Sequence, residues 1–141
     1  MRVAVVDGQG GGIGRIIIQQ IREKLGKGIE IIALGTNALA TSAMLKAGAD
    51  EGATGENAVE FNVPRVNLII GSVAILAADT MLGELTPRMS VAIAESPAEK
   101  LLIPLNRCRI EVMGVRNEPL PYYIEALVRR VGEILKEEKN G

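Results

Sequence analysis

The sequence predicts an α/β domain in which helices cover both faces of a doubly wound, mostly parallel sheet, a three-layer α/β/α arrangement. Short apolar runs alternate with amphipathic helical patterns along the 141 residues, as in consecutive βαβ units. Apolar residues make up 48% of the chain and charged residues 23%, and this apolar excess suits strands that are buried on both faces. Because one domain contains roughly 100–200 residues, we expect residues 1–141 to form a single domain.

The first half of the chain alternates regularly between strand and helix. Residues 3–6 form an apolar run that predicts a buried strand. Residues 13–25 place isoleucine and leucine at a spacing of four, which predicts an amphipathic helix. Residues 29–34 predict a second strand, and Asn37 is a suitable N-cap for a helix over residues 38–47.

The second half predicts more strands than helices. Pro64 ends a short helix, and Pro119 and Pro121 introduce the last one, whose apolar stripe is close to a heptad. In order, the predicted elements are a strand at 49–53, a helix at 54–61, a strand at 66–70, a helix from 72 to near 83, strands at 89–94, 101–105 and 109–115, and a helix at 122–138.

A glycine cluster joins the first predicted strand to the first predicted helix. A strand–glycine loop–helix segment lets a phosphate lie at the helix N-terminus, where free N–H groups and the helix dipole favour an anion. Five glycines cost much backbone entropy if they form only a turn, so we predict phosphate or nucleotide binding here. The alternative is a tight turn that binds nothing. The loop comprises Gly8, Gln9, Gly10, Gly11, Gly12, Ile13 and Gly14.

This loop resembles the T-G-x-x-x-G-I-G signature of short-chain dehydrogenases/reductases, with Asp7 at the position of the threonine. The resemblance implies a dinucleotide ligand, NAD or NADP. We expect the Asp7 carboxylate to accept hydrogen bonds from loop N–H groups. The Tyr-x-x-x-Lys pattern of that family is absent, since Ala126 and Leu127 stand four residues after the two tyrosines. The resemblance therefore implies a binding loop and not a reductase reaction.

Residues that follow two other strands complete the candidate site. In an open α/β sheet, ligands bind beyond the carboxyl ends of the strands. Thr36 and Asn37 follow the second strand and are placed to contact a ribose, although Asn37 also suits a helix cap. Gly71 and Ser72 follow the strand at 66–70. Ser72 is a candidate contact to a ribose or a substrate, and its alternative role is to cap the next helix.

Three stretches together resemble a family of short bacterial proteins that is described only as a domain of unknown function. They are residues 1–14, residues 68–87 (LIIGSVAILAADTMLGELTP) and residues 96–108 (SPAEKLLIPLNRC). The resemblance spans most of the chain. It implies a small, stand-alone Rossmann-like protein and brings no established activity with it.

Composition excludes several classes of function. The chain has no histidine, which excludes histidine acid–base catalysis, Ser-His and Cys-His nucleophiles and histidine-ligated metals. Its formal net charge of −1 points to neither nucleic acid nor an anionic membrane as a partner. The longest weakly polar run, residues 68–78, is too short to span a bilayer. A single cysteine and no targeting signal fit a cytoplasmic protein.

Other polar groups have a functional and a structural interpretation. Asp79 and Glu84 are candidates for a carboxylate pair, although solvated charges at a helix end are expected instead. Ser96 and Lys100 have the spacing of a lysine-activated serine, but a turn serine and a surface lysine explain them as well.

Cys108 stands between Arg107 and Arg109, whose guanidinium groups favour a thiolate. A small buried residue is the alternative. The near-heptad stripe of the last helix covers the sheet or pairs with a second copy, so a homodimer is also considered.

We therefore expect a binding or sensor protein that holds a nucleotide or an NAD(P)-type dinucleotide at Gly8–Gly14. One alternative is a small NAD(P)-dependent oxidoreductase with an unusual active site, which requires substrate groups such as Ser72 or Asp79. The other is an interaction subunit that keeps the fold without a ligand. A tightly bound cofactor distinguishes the first two from the third.

Overall fold

Five parallel strands form the sheet in the computed structural model, which describes residues 1–105 and 108–141. The strands lie in the order β3-β2-β1-β4-β5, and every neighbouring pair is parallel. They are β1 (Arg2–Asp7), β2 (Glu30–Gly35), β3 (Glu51–Thr54), β4 (Leu68–Ser72) and β5 (Glu99–Ile103). The predicted α/β fold with a doubly wound parallel sheet is confirmed.

Helices cover both faces of this sheet. The helices are α1 (Gly12–Leu25), α2 (Ala38–Ala47), α3 (Glu56–Asn62), α4 (Pro87–Glu95) and α5 (Leu120–Asn140), with short 3₁₀ turns at Val63–Arg65 and Val73–Leu76. Helices α1, α2 and α5 contribute to one core, and α3 and α4 contribute to the other. The division follows from strand alternation, because Val3 and Val5 of β1 face the first core and Ala4 and Val6 face the second. All four are buried.

The strand order creates a crevice between β1 and β4. From β1 the chain proceeds to β2 and β3 on one side, then returns to place β4 and β5 on the other. The loops that leave β1 and β4 therefore diverge at the carboxyl ends of these two strands, and such a switch point is where open α/β sheets bind ligands. Asp7 and Ser72 are the last residues of β1 and β4.

Helix α4 replaces the strand that the sequence predicts at residues 89–94. The Thr86 hydroxyl accepts a hydrogen bond from the Met89 N–H (3.2 Å), and Pro87 occupies the first helical turn. Met89, Ser90 and Ile93 form the buried face at helical spacing. The strand prediction was wrong because the apolar run suits either period, and the cap and the proline decide between them.

Two further predicted elements are wrong. The helix expected from residue 72 to near 83 is only the 3₁₀ turn Val73–Leu76, followed by turns in which Asp79, Met81 and Leu82 have positive φ. No strand forms in the described part of the segment that follows β5, residues 108–119, so the strand expected at 109–115 is absent. Most of its side chains are exposed and give it no core to pack on.

None of the helices in the described ranges has both the length and the apolar character needed to cross a bilayer.

Candidate functional site

A cavity of about 460 Å³ lies at the crevice between β1 and β4. The glycine loop and the first turn of α1, including Arg15, form one wall. Ser72 and the segment from Thr80 to Leu82 form the opposite wall. Leu105 and Leu120 add an apolar surface, and the volume falls within the range of small-molecule sites.

Asp7 holds the glycine loop against the start of α1. One carboxylate oxygen accepts a hydrogen bond from the Gly8 N–H (2.8 Å) and the other accepts one from the Gly14 N–H (2.7 Å). Asp7 is buried, so these charge-assisted bonds act in a region from which water is largely excluded. The expectation that Asp7 bonds to loop N–H groups agrees with this geometry.

Glu84, from a distant segment of the chain, also accepts a hydrogen bond from the glycine loop. Its Oε1 accepts hydrogen bonds from the Gln9 N–H (2.8 Å), the Thr36 hydroxyl (2.6 Å) and the Asn37 side-chain amide (2.8 Å). The bond from Thr36, followed by those from Gln9 and Asn37, holds the pKa of the Glu84 carboxyl below its usual value. Glu84 is therefore a structural member of the site and not a solvated helix end, as the sequence alone suggested.

The segment that carries Glu84 is a set of consecutive turns. The Asp79 N–H donates to the Leu85 carbonyl (2.8 Å), which closes the segment at its base. Asp79, Met81 and Leu82 adopt the left-handed conformation, which is costly for residues with a Cβ. Leu82 borders the mouth of the cavity with 97% of its surface exposed.

Three of the loop glycines are required by packing. A Cβ on Gly11 would lie 2.9 Å from the backbone of Ala40, and one on Gly14 would lie 2.5 Å from the Met44 sulfur. A Cβ on Gly8 would collide with side chains of neighbouring loops. These glycines allow α1 and α2 to approach the sheet closely, so they explain the fold without any ligand.

The other two loop glycines have a different environment. Within the described residues, no heavy atom lies within 4 Å of a Cβ built on Gly10 or Gly12, and neither glycine has a positive φ. Packing and backbone conformation therefore do not demand glycine at either position. Both border the cavity, where a Cβ would project into open space that a ligand can use.

Several hydrogen-bonding groups at the cavity are unused. The N–H groups of Gly10, Gly12 and Ile13 have no protein partner among the residues that the structure describes. Helix α1 has no side-chain cap from its N-cap residue and no acidic residue in its first turn. Arg15, in that first turn, brings a guanidinium group to the same wall. The start of α1 is therefore electropositive and open.

Ser72 contributes a hydroxyl group to the cavity. Only 7% of its surface is exposed, and its side chain makes no cap bond to the following 3₁₀ turn. Within residues 1–105 and 108–141, its hydroxyl has no hydrogen-bond partner. The alternative role of Ser72, capping the next helix, is therefore not observed, and the hydroxyl is left available at the cavity.

Five predicted site residues do not border the cavity: Gly11 and Gly14, which packing requires, and Thr36, Asn37 and Gly71. Thr36 and Asn37 donate to Glu84, and the side-chain Oδ1 of Asn37 also caps α2 by accepting from the Ala40 N–H (2.9 Å). Gly71 is buried, and a Cβ there would lie 2.8 Å from the Val6 carbonyl oxygen, so packing explains it. Asp7, Gly8, Gln9, Gly10, Gly12, Ile13 and Ser72 are brought together around the cavity.

The remaining candidates do not form a second site. The Ser96 hydroxyl donates to the Val63 carbonyl (2.6 Å), while Lys100 donates to the Ser96 backbone carbonyl, so the lysine does not contact the hydroxyl. Cys108 borders the cavity and is partly exposed, whereas Arg107 lies outside the described residues. No cluster of three or more potential metal ligands occurs within the described ranges.

The sequence placed Glu84 in a possible carboxylate pair with Asp79 but did not predict its contact with the glycine loop. Glu84 lies 75 residues from Gln9 along the chain, and no spacing pattern links the two. A weak signal exists in the neighbouring Gly83, which has a positive φ and marks a turn that returns the chain to the glycine loop.

One known protein family matches nearly the whole chain. The family described as "Domain of unknown function (DUF3842)" matches residues 2–136. The chain belongs to this DUF3842 family. This finding confirms the predicted resemblance to a family of unknown function. The resemblance of the glycine loop to short-chain dehydrogenases/reductases gains no support from it. No curated protein sequence matches the chain.

A solved structure shares the fold of this DUF3842 protein. It is described as a dodecameric FMN-dependent Ubix-like decarboxylase from Escherichia coli O157:H7. The two are 15% identical in sequence, with a TM-score of 0.52 over 96% of this chain and 95% of the other. At this identity the likeness establishes the Rossmann-like fold alone.

The prediction of NAD or NADP as the cofactor is wrong. The matched structure is described as FMN-dependent, so the comparison gives no support to NAD or NADP. The site gives a physical reason for the correction. Thr36 and Asn37, which the prediction assigned to the ribose, donate their side-chain hydrogen bonds to Glu84 instead. No acidic residue directly follows β2 in the sequence, where NAD-binding sites usually have one.

Proposed function

We propose that this DUF3842 protein binds a phosphorylated, nucleotide-type ligand in the switch-point cavity, with FMN as the first candidate. The observation that supports the proposal is the unused hydrogen-bonding capacity there. Three backbone N–H groups, of Gly10, Gly12 and Ile13, and the Ser72 hydroxyl border one cavity without protein partners among the described residues.

The N-terminal end of α1 would hold the phosphate. The N–H groups of Gly10, Gly12 and Ile13 supply donors, and the helix dipole adds a favourable potential. The Arg15 guanidinium, which is otherwise exposed to solvent, would add a charge-assisted hydrogen bond to a phosphate oxygen. The absence of a Cβ at Gly10 and Gly12 lets the phosphate approach the backbone.

The rest of the cavity suits an organic group with both apolar and polar parts. Ala74, Met81, Leu105 and Leu120 offer apolar contacts, and Ser72 offers a hydroxyl at the base. A flavin has a planar ring system with polar edges and a phosphate at the end of a short chain, which fits this division. A bound flavin would supply electron-transfer chemistry, while the residues of this chain would bind and orient it.

Substitution of Gly12 tests the proposal. A Cβ branch at Gly12 would enter the space assigned to the phosphate, so Gly12→Val should weaken FMN binding by about tenfold or more. Gly28→Val is the matched control. A Cβ on Gly28 would also meet no neighbouring atom, and Gly28 has no positive φ, but it lies in the turn before β2, at the amino ends of the strands and away from the cavity. Flavin fluorescence anisotropy measures the affinity of each variant.

Two results would contradict the proposal. One is an absence of FMN binding by the wild-type protein, which would favour an interaction subunit whose glycine loop is only structural. The other is equal affinity of Gly12→Val and the wild type. The circular dichroism spectrum of Gly12→Val should match that of the wild type, which would show that any loss of binding does not arise from misfolding.

A homodimer is also proposed. A groove of about 1160 Å³ runs between α1 and α5, with Ile16, Leu25, Ile124 and Val128 among its apolar lining residues. The near-heptad stripe of α5 is buried in the core of the chain itself, so it does not supply the interface. The support for a second copy in this groove is the solved structure of the same fold, which is described as dodecameric. Sedimentation velocity tests this, because a mass of two chains supports the dimer and a mass of one chain contradicts it.

A further inference from the structure

We infer that Leu82 is a ligand-binding residue, and that the tip of the turn segment formed by residues 79–85 covers the ring system of the ligand at the mouth of the cavity. The inference rests on the proposed function, since it concerns a ligand in the same cavity. It deepens that function by requiring a flat apolar group on the ligand and by naming the residue that contacts it.

The fold does not explain a leucine at position 82. Leu82 is 97% exposed, so its side chain contributes almost no packing. Its φ of 57° is left-handed, a conformation that is costly for leucine and easily adopted by glycine or asparagine. A turn that served only to connect β4 to α4 would be more stable with one of those residues. An apolar contact with a bound molecule gives the leucine a role that the chain alone does not.

The rest of the turn segment is anchored to the body of the protein. Leu85 is fully buried, and Met81 packs against the core that α3 and α4 cover. The Thr80 hydroxyl donates to the Ala74 carbonyl (2.8 Å). Leu82 differs, because its backbone makes no hydrogen bond within the part of the chain that the structure describes. The tip can therefore adjust to a ligand while the base of the turn stays in place.

The anchors hold Leu82 at the cavity. A Cβ on Gly8 would lie 2.6 Å from the sulfur of Met81, so the residue before Leu82 lies directly against the glycine loop. Leu82 itself borders the cavity, as do Leu105 and Leu120. A ring in the cavity therefore has apolar side chains available from the wall and from the mouth. Closing Leu82 over that ring would remove apolar surface of both from water.

Leu82→Ala tests this contact. The substitution removes most of the apolar side chain, so FMN should bind about fivefold more weakly. Inorganic phosphate has no ring, so its affinity, measured by displacement of FMN, should be the same in the variant and in the wild type. Leu82→Met keeps an apolar side chain of similar size and should restore most of the FMN affinity. Val91→Ala is the control, because Val91 is 52% exposed on α4 and does not border the cavity.

A methyl NMR titration with FMN reports the contact directly. The Leu82 methyl signals are identified by their absence from the spectrum of Leu82→Ala. A methyl group over the face of an aromatic ring shifts upfield, so FMN should move both Leu82 signals upfield. The methyl signals of Val91 should stay in place.

The outcomes distinguish this inference from the proposed function. Equal FMN affinities of Leu82→Ala and the wild type, or unmoved Leu82 methyl signals, would overturn the inference and leave the proposed function intact. Equal losses of FMN and phosphate affinity in Leu82→Ala would show that the substitution disturbs the glycine loop, which also overturns the inference. FMN binding that phosphate does not displace would contradict the phosphate site alone, and no FMN binding by the wild type would overturn both.

A further measurement needs no ligand. Leu82→Asn introduces a residue that tolerates the left-handed conformation and removes no packing. We expect the melting temperature of the protein without FMN to rise by roughly 2–5 °C, while FMN binding weakens. A melting temperature below that of the wild type would show that the fold requires the leucine, and would overturn the inference.

Discussion

At the scale of single residues, two carboxylates give the glycine loop its shape. Asp7 binds the loop at both ends, through the N–H groups of Gly8 and Gly14. Glu84 binds it in the middle, through the N–H group of Gln9. The remaining N–H groups, of Gly10, Gly12 and Ile13, have no protein partner among the described residues, and these three residues border the cavity. The loop is therefore held in one conformation before any ligand arrives, which reduces the entropy cost of binding.

Asp7→Asn tests the contribution of the first carboxylate. An asparagine can accept only one of the two hydrogen bonds and would direct an NH₂ group toward a second N–H donor. We expect the free energy of unfolding to fall by about 1–3 kcal/mol. Asp79→Asn is the control, because Asp79 is exposed and asparagine tolerates its positive φ. Urea unfolding followed by circular dichroism measures both variants, and equal losses would contradict the assigned role.

The residue scale also shows what the sequence could predict. Asp7 adjoins the glycines, so its bonds to their N–H groups followed from local chemistry. The Glu84 bond depends on a turn of left-handed residues that no local rule anticipates. The alternative capping role of Ser72 failed for a related reason, since it required a helix that does not form.

At the scale of secondary-structure elements, Arg22 joins α1 to the loops at the amino ends of β2 and β3. Its guanidinium donates to the carbonyls of Gly48 (2.8 Å) and Ile29 (2.7 Å) and to the Asp50 carboxylate (2.7 Å). Asp50 also accepts from the Ile31 N–H (2.8 Å). This network fixes the end of α1 against the start of β2, so it sets the orientation of the helix whose other end borders the cavity.

Acid should weaken this junction. The hydrogen bond from the Ile31 N–H, followed by that from Arg22, lowers the pKa of the Asp50 carboxyl. A carboxyl with a lowered pKa in the folded state stabilises the protein above its unfolded pKa, and that stabilisation is lost as pH falls through the folded pKa. Asp50→Asn should therefore flatten the dependence of the unfolding free energy on pH below about pH 4. Identical pH profiles for the variant and the wild type would contradict this account.

Helix α4 provides a test of its N-cap. The Thr86 hydroxyl accepts from the Met89 N–H and donates to Glu56 (2.6 Å), so it joins α4 to α3. Thr86→Ala should lower the free energy of unfolding by about 1 kcal/mol, and Thr86→Ser should restore most of it. Thermal unfolding compares the three proteins. A serine variant as unstable as the alanine variant would show that the hydroxyl is not responsible.

The elements that the sequence predicted well are those with one dominant signal. The helix at 38–47 has a cap and a glycine stop and was placed correctly, as α2. Residues 89–94 are short and apolar, so periodicity alone did not distinguish strand from helix, although Thr86 and Pro87 mark a helix start. Residues 109–115 resemble a strand in composition, but β5 is an edge strand with no partner beyond β4 in the described sheet.

At the scale of the whole molecule, the strand order determines where a ligand can bind. The order β3-β2-β1-β4-β5 opens a crevice at the carboxyl ends of β1 and β4, and the cavity with its unused donors lies there. This location was predictable from the alternation of strands and helices. The nature of the ligand was not, because it depends on how distant residues such as Glu84 complete the site.

Ligand binding should stabilise the entire fold. A ligand at about 100 times its dissociation constant adds about 2.7 kcal/mol to the free energy of unfolding. For a chain of this size, FMN should then raise the melting temperature by roughly 5–15 °C. Riboflavin at the same concentration should have little effect, because it lacks the phosphate. Equal shifts with both flavins would contradict the phosphate site.

The most direct test of the phosphate site is an amide NMR titration of the ¹⁵N-labelled protein with FMN and with riboflavin. With FMN, the account predicts the largest shifts at the N–H groups of Gly10, Gly12 and Ile13, which are free in the structure. Riboflavin should leave these three signals near their starting positions. If FMN instead perturbs other amides and leaves these three unchanged, the phosphate does not bind at the start of α1 and the central claim is wrong.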